Sequence, residues 1–218
     1  MDAESRKIPS HEVTYARLRD MILFGHLAPG APVTIQGLIT DLGAGMTPVR
    51  EAIRRLTAEG ALLPQGNRRV AVPKLSAEML DQVAYARLAV EPKLAELAAA
   101  RLTPVQIDRL EAIDAAVTVA IAAGKLPDYL AANHAFHFAI YEAAEAPVLL
   151  DLARSLWLRA GPSLRAVIDR FGREVAPDLH REALVALRNR DGKAFAAAIE
   201  RDIQQGVEHV RQALAESA

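Results

Sequence analysis

Between Thr34 and Val72 the chain is punctuated too closely for most folds. A short helical segment runs from Thr34, as N-cap, to Leu42 and stops at the tight turn Gly43-Ala44-Gly45. A second helix starts at Met46 with Pro48 in its first turn, where the missing N–H leaves no bond unmade, and runs to a glycine stop at Gly60. Two short apolar runs follow, 61–63 and 70–72, around the basic tip PQGNRR, which is the pattern of a hairpin. Helix, tight turn, helix and basic hairpin in so short a span predict a winged helix-turn-helix, whose second helix enters the major groove of DNA.

The second helix is amphipathic. Val49, Ala52, Ile53 and Leu56 recur at i, i+3, i+4 and i+7 and form a stripe for the core. Thr47, Arg50 and Arg54 share the opposite side. On an isolated helix such a face is as often merely solvated; the surrounding motif favours DNA. Thr47, Arg50 and Arg54, with Arg55 counted beside them, then meet the groove, where arginine can bond guanine O6 and N7 together. Arg68 and Arg69 at the hairpin tip meet phosphates or reach into the minor groove. A first helix is expected from Glu12 to Gly25, and 27–33 reads as a Pro/Gly turn. Residues 1–75 carry a net charge of +3 and the remainder −4, an asymmetry that places any polyanion on the first part.

The tract LRDMILFGHLAPGAPV…LITDLGAGMTPVREAIRRLTAEGALL resembles the N-terminal domain of the GntR family of bacterial transcription regulators, and TPVREAIRRL…EG at 47–60 is its most diagnostic part. The resemblance implies a DNA-binding domain over 12–73, preceded by a flexible tail, 1–11. Two departures stand out. The family usually carries Ser-Arg before the Thr-Pro, where this chain has Gly45-Met46, and the wing usually has a glycine where Arg69 stands. An operator that differs from the family's usual pattern is the expected consequence.

After a linker at 74–78 the pattern turns wholly helical, with six helices expected at 77–101, 104–123, 128–145, 147–171, 177–190 and 192–216. Aromatics are only 5% and alanine is abundant, so closely packed helices are favoured over sheets. The fold class expected is therefore mostly α, a winged helix-turn-helix followed by an all-α antiparallel bundle over 79–218. The absence of cysteine excludes a disulfide scaffold, a thiolate metal site and a cysteine nucleophile, and fits a reducing cytoplasm. A polar N-terminus without an apolar h-region, and no apolar run near the ~20 residues of a membrane span, point the same way.

Several polar side chains sit where the bundle's periodicity asks for apolar ones. Asn133 and His137 fall within the face of Leu130, Phe136 and Ile140; His180 leads the series Ala183, Leu184, Leu187. Asp202 lies on the stripe of Phe195, Ala198 and Ile199, with His209 two turns along, and Arg87 and Glu91 interrupt Leu80, Val83 and Leu94. Burying each alone costs about 1–3 kcal/mol without a partner. A single one is more often a satisfied core residue. Four N/O donors from three helices are what a buried divalent metal requires.

The arrangement resembles the FCD effector domain of the FadR branch of the GntR family, near its VanR-like subgroup by helix count. There Asp-x-x-x-His on one helix and two later histidines bind a metal beneath a ligand cavity. In NHAFH (133–137) Asn133 stands at the Asp and His137 at the His; His180 matches the second histidine, and Asp202 stands in place of the third. The resemblance implies a divalent ion on Asn133, His137, His180 and Asp202, zinc first, with nickel or manganese as alternatives. It implies a small carboxylate effector near Arg87 and Glu91, whose competing reading is an internal i, i+4 ion pair. It also implies a homodimer on two-fold operator DNA, acting as a repressor and not as an enzyme. Two other classes compete: a metal-dependent enzyme on the bundle, and a helical interaction module without DNA binding.

Overall fold

Helix ends fall where the sequence places its capping residues. In the computed structural model, which describes residues 10–164 and 178–216, α1 spans Ser10–Leu23. Thr34 then accepts a bond from the Gly37 N–H at 3.0 Å and opens α2 (Ile35–Leu42). Gly43 closes α2 at φ 57°, a left-handed conformation that suits a residue without Cβ. Next comes α3 (Met46–Ala58), whose stripe of Val49, Ala52, Ile53 and Leu56 is buried as the periodicity requires. Most of the expected tail 1–11 lies outside the described residues.

The wing differs from expectation in two ways. The segment 27–33 is more than a turn: Pro32–Thr34 forms β1, an edge strand antiparallel to β3 (Arg69–Ala71), with Val33 opposite Val70. Three residues are too few to show alternation, and proline is tolerated at a sheet edge. The other correction concerns β2, which is Leu63–Gln65 and not 61–63. The N–H groups of Ala61 and Leu62 both bond the Leu56 carbonyl, at 2.8 and 3.2 Å, so these residues finish α3 before the strand can start. The sheet order is β1-β3-β2. At its tip Asn67 and Arg68 have φ of 59° and 58°, and the Ile35 N–H bonds the Arg68 carbonyl.

The bundle comprises α4 (Ala77–Ala99), α5 (Pro104–Ala122), α6 (Leu126–Ala143), α7 (Pro147–Ala160), α8 (Leu179–Arg188) and α9 (Gly192–Glu216). Ser76 caps α4. Thr103 and Gln106 form a reciprocal capping box with Pro104 behind it. The helix expected over 147–171 ends at Ala160 and passes into a 3-10 turn, Gly161–Leu164, because a proline at 162 has no N–H to continue the ladder. The rest of that expectation, and Pro177, lie outside the described residues. Central to the bundle is α4, which packs on α6, α7 and α9, while α5 pairs with α6 and α8 bridges α5 and α9. Phe136, Ile140, Tyr141 and Phe195 are fully buried there, each contributing about 1.5–3 kcal/mol.

The winged part and the bundle touch along α1. Leu23 lies against Gly161 and Leu130 against Gly25, and the Phe24 ring meets His134 edge-on at 5.8 Å. Arg159 of α7 lays its guanidinium over Gly60, where a Cβ would sit 2.8 Å from it. Among the described residues no helix is long and apolar enough to cross a membrane.

Candidate functional site

Two sites emerge, one on α3 and the wing, the other inside the bundle. On α3, Thr47, Arg50 and Arg54 are exposed. Arg50 makes no hydrogen bond or ion pair among the described residues. Arg54 is held by Glu51, with Nε 3.0 Å from Oε2, and that bond lowers the Glu51 carboxyl below its ordinary value. Arg55 is turned the other way. Its guanidinium lies 3.7 Å over the Tyr15 ring, and its Nε bonds Glu59 at 3.2 Å. Tyr15 donates its hydroxyl to the same Glu59 carboxylate at 2.8 Å, so Arg55 fastens α3 to α1. Burial first, and then the Glu59 bond, push the Tyr15 hydroxyl up to about 12. Arg68 and Arg69 project into solvent at the wing tip.

Inside the bundle His137 (α6), His180 (α8) and Asp202 (α9) bring one ligand atom each to within 4.8 Å of one another. His137 Nε2 is 3.1 Å from Asp202 Oδ2, and His180 Nε2 is 3.7 Å from Asp202 Oδ1. The outer nitrogens are committed elsewhere. His180 Nδ1 lies 2.9 Å from Asp114 Oδ1 on α5, so it carries a proton toward that carboxylate. His137 Nδ1 lies 3.1 Å from the Tyr141 hydroxyl, whose single proton goes to Glu91 Oε2 at 2.6 Å. Tyr141 must then accept from His137 Nδ1–H. Both imidazoles, when neutral, therefore turn bare Nε2 lone pairs toward one carboxylate, and His180 Nε2 is buried without a hydrogen-bond partner.

Three sets of lone pairs cannot face each other without a positive charge among them. Protons or a divalent cation can supply it. Burial pulls His137 below its ordinary value against the opposing pull of Asp202. For His180 burial is outweighed by Asp202 and Asp114, and its value rises. Burial would raise Asp202, but the two histidines hold it at about 2. Two imidazoles and a carboxylate, each oriented by a further hydrogen-bonding group, are also the donor set of a divalent metal site. The residues present fit such an ion.

Asn133 is buried one turn before His137 and lines, with His137 and Asp202, a cavity of about 50 Å³ whose other lining residues include Arg87, Tyr129, Trp157 and His209. Arg87 and Glu91 do form the internal pair, with Nε to Oε1 at 2.6 Å and the terminal nitrogen to Oε2 at 3.0 Å. Glu91 also takes the Tyr141 hydroxyl and, at 3.1 Å, the Trp157 indole N–H. Its carboxylate is fully engaged and does not line the cavity, whereas Arg87 does.

Sequence reasoning missed Asp114, Tyr141 and Trp157. The signal for Asp114 was present: it falls on the α5 face of Ile107, Leu110 and Val117, which are buried, and is the same anomaly that exposed Asp202. Tyr141 sits one turn after His137, and Trp157 is the chain's one tryptophan. Nothing in their spacing distinguishes them from core aromatics.

Residues 11–72 match the family described as bacterial regulatory proteins, gntR family, and residues 82–205 match the FCD domain. The HTH-type transcriptional regulator McbR of Escherichia coli (strain K12) is 28% identical over 194 residues, covering 87% of each chain. The HTH-type transcriptional repressor RspR of the same strain is 27% identical over 213 residues, covering 94% of this chain and 90% of that one. The structure of E. coli McbR/YncC is similar with a TM-score of 0.83 and 25% identity, covering 94% of this chain and 98% of the other. A transcriptional regulator GntR from Rhodococcus sp. RHA1 shares the fold at a TM-score of 0.73 and 21% identity, over 92% and 96% of the two chains.

Proposed function

The chain is a transcriptional regulator of the GntR family, a GntR helix-turn-helix joined to an FCD domain, and on that premise we propose that it represses operators under control of a small anionic effector. The domains are 12–73 for DNA and 79–218 for effector and dimerisation. Arg50, Arg54 and Thr47 contact base edges, and Arg68 and Arg69 contact phosphates. Arg55 supports these contacts by holding α3 on α1. Two subunits related by a two-fold axis present one recognition helix to each half-site, in the cytoplasm where the DNA is.

The observation that carries the effector reading is the convergence of His137 Nε2 and His180 Nε2 on Asp202, directly against the cavity that Arg87 lines. His137, His180 and Asp202, with Asn133 through its amide oxygen, hold a divalent cation, zinc first. When bound, such an ion neutralises the converging lone pairs and offers open positions to effector oxygens. Arg87 supplies a guanidinium to a carboxylate, and Glu91 keeps that guanidinium aimed.

Effector occupancy reaches the DNA through Trp157. This residue lines the cavity, bonds Glu91, and stands edge-on to His134 at 5.4 Å. His134 in turn stacks on Phe138 at 4.2 Å and meets Phe24, the residue that follows α1. Burial brings His134 down to about 4, so it packs as a neutral ring.

The test combines metal analysis with DNA binding. Protein purified without chelator, and again after zinc addition and desalting, is expected to hold near-stoichiometric metal. Its affinity for selected duplex DNA should fall with rising salt, and Arg50→Ala should weaken it by about 1–3 kcal/mol. Protein that holds no metal in either preparation, with a melting response to zinc that His180→Ala leaves unchanged, overturns the metal site. Salt-independent binding overturns the phosphate contacts.

A further inference from the structure

We infer that Met46 is a base-reading residue and that it selects a thymine through that base's 5-methyl group. This rests on the DNA-binding reading of α3 but goes beyond it by naming what one residue recognises. Met46 is the first residue of α3 and is 48% exposed. Its helix has no further need of it for packing, because Val49, Ala52, Ile53 and Leu56 already supply a closed core stripe.

The placement gives that exposed side chain a neighbour with a purpose. At about 100° per residue, Met46 lies roughly 40° around the helix from Arg50 and roughly 80° from Arg54. It therefore shares the basic face with the unpaired Arg50, one turn nearer the helix N-terminus. In helix-turn-helix proteins the N-terminal residues of the recognition helix are the ones that reach base edges.

The chemistry then limits the base. A thioether on a flexible, polarisable stem has no N–H to donate and accepts only weakly. Guanine presents N7 and O6 in the major groove, and both would lose water beneath Met46 without a donor in return. Thymine alone offers an apolar methyl group at that edge. Methionine against methyl buries apolar surface on both sides and leaves no polar atom unpaired.

The full-length protein is used to select duplexes from a random pool, and each thymine of the selected half-site is then replaced in turn by deoxyuridine. That change removes the 5-methyl group and nothing else. At one thymine per half-site it should weaken binding about three- to five-fold, the worth of one buried methyl. The same replacement should have no effect on Met46→Ala, whereas Arg50→Ala should retain sensitivity to it. If every thymine tolerates the replacement, or if the penalty persists in Met46→Ala, the inference is overturned while DNA binding stands. A protein that selects no duplex at all overturns the DNA-binding reading itself, which is a distinct result.

Discussion

The Trp157 indole N–H donates to the Glu91 carboxylate at 3.1 Å, and this bond holds an indole that stands between the Arg87-lined cavity and the contact between the two parts of the chain. One face of the indole belongs to the cavity, with Arg87 4.7 Å from the ring centroid. Its edge belongs to the cluster of His134, Phe138 and Phe24. Because Trp157 is the chain's one tryptophan, its fluorescence reports this junction without labelling. Zinc added to the metal-free full-length protein should change the emission, with an endpoint near one equivalent. Trp157→Phe keeps an aromatic ring, smaller than the indole, and removes the N–H. It should bind zinc normally yet lose most of the difference in DNA affinity between the zinc-loaded and metal-free states. An undiminished difference in that variant would refute the route through Trp157.

Glu91 should be the least replaceable polar residue of the bundle. It is completely buried and serves Arg87, Tyr141 and Trp157 at once. Glu91→Ala leaves a buried guanidinium without its counter-charge, which costs about 3–5 kcal/mol. Urea denaturation should show that loss as a lower midpoint. Exposed pairs of similar geometry, such as Arg154 with Asp151, should lose at most about 1 kcal/mol when broken.

Legibility in the sequence followed chemistry that repeats along a helix. Period 3.6 located the helices, and Thr34, as a cap, located the start of α2. Polar residues on apolar faces revealed His137, His180 and Asp202, since burial of a polar group demands a reason. Other features have no periodic trace. β1 is three residues of edge strand around Val33, defined only by its partner β3. Arg55 looked like a groove residue because it is basic and neighbours Arg54. Its real partner, Tyr15, lies on another helix, and pairing between helices is invisible to a wheel drawn for one. The wheel of α4 did offer the Arg87–Glu91 pair, but the two other donors to Glu91, Tyr141 and Trp157, come from α6 and α7 and left no trace in it.

The Tyr15–Glu59 bond gives a prediction with a definite direction in pH. The folded chain raises the Tyr15 hydroxyl from 10.0 to about 12, so folding favours its protonated form. That contribution is fully present below pH 10 and is lost as pH rises through about 12. Tyr15→Phe should therefore be less stable than the natural protein at neutral pH, by about 1–3 kcal/mol for a bond to a carboxylate. The difference between the two should shrink steadily above pH 10, as read by denaturation midpoints at stepped pH. A difference constant to pH 11.5 would show that the bond is not what holds Tyr15.

The last prediction separates a metal centre from a purely structural histidine cluster, using a residue that touches no metal in either case. The Asp114 carboxylate bonds the outer nitrogen of His180, at 2.9 Å. If His180 is a ligand, Asp114 fixes its tautomer and raises its donor strength. Asp114→Asn should then weaken zinc binding about ten- to one-hundred-fold in competition with a chelating dye. The metal-free protein should lose stability as well, because a protonated His180, which supplies the positive charge when no ion is present, gives up one of its two counter-charges. If His180 is instead a purely structural partner of two aspartates, the metal-free melting point should fall in the same way, but the small effect of zinc should not change. Zinc affinity in the variant is therefore the quantity that distinguishes the two.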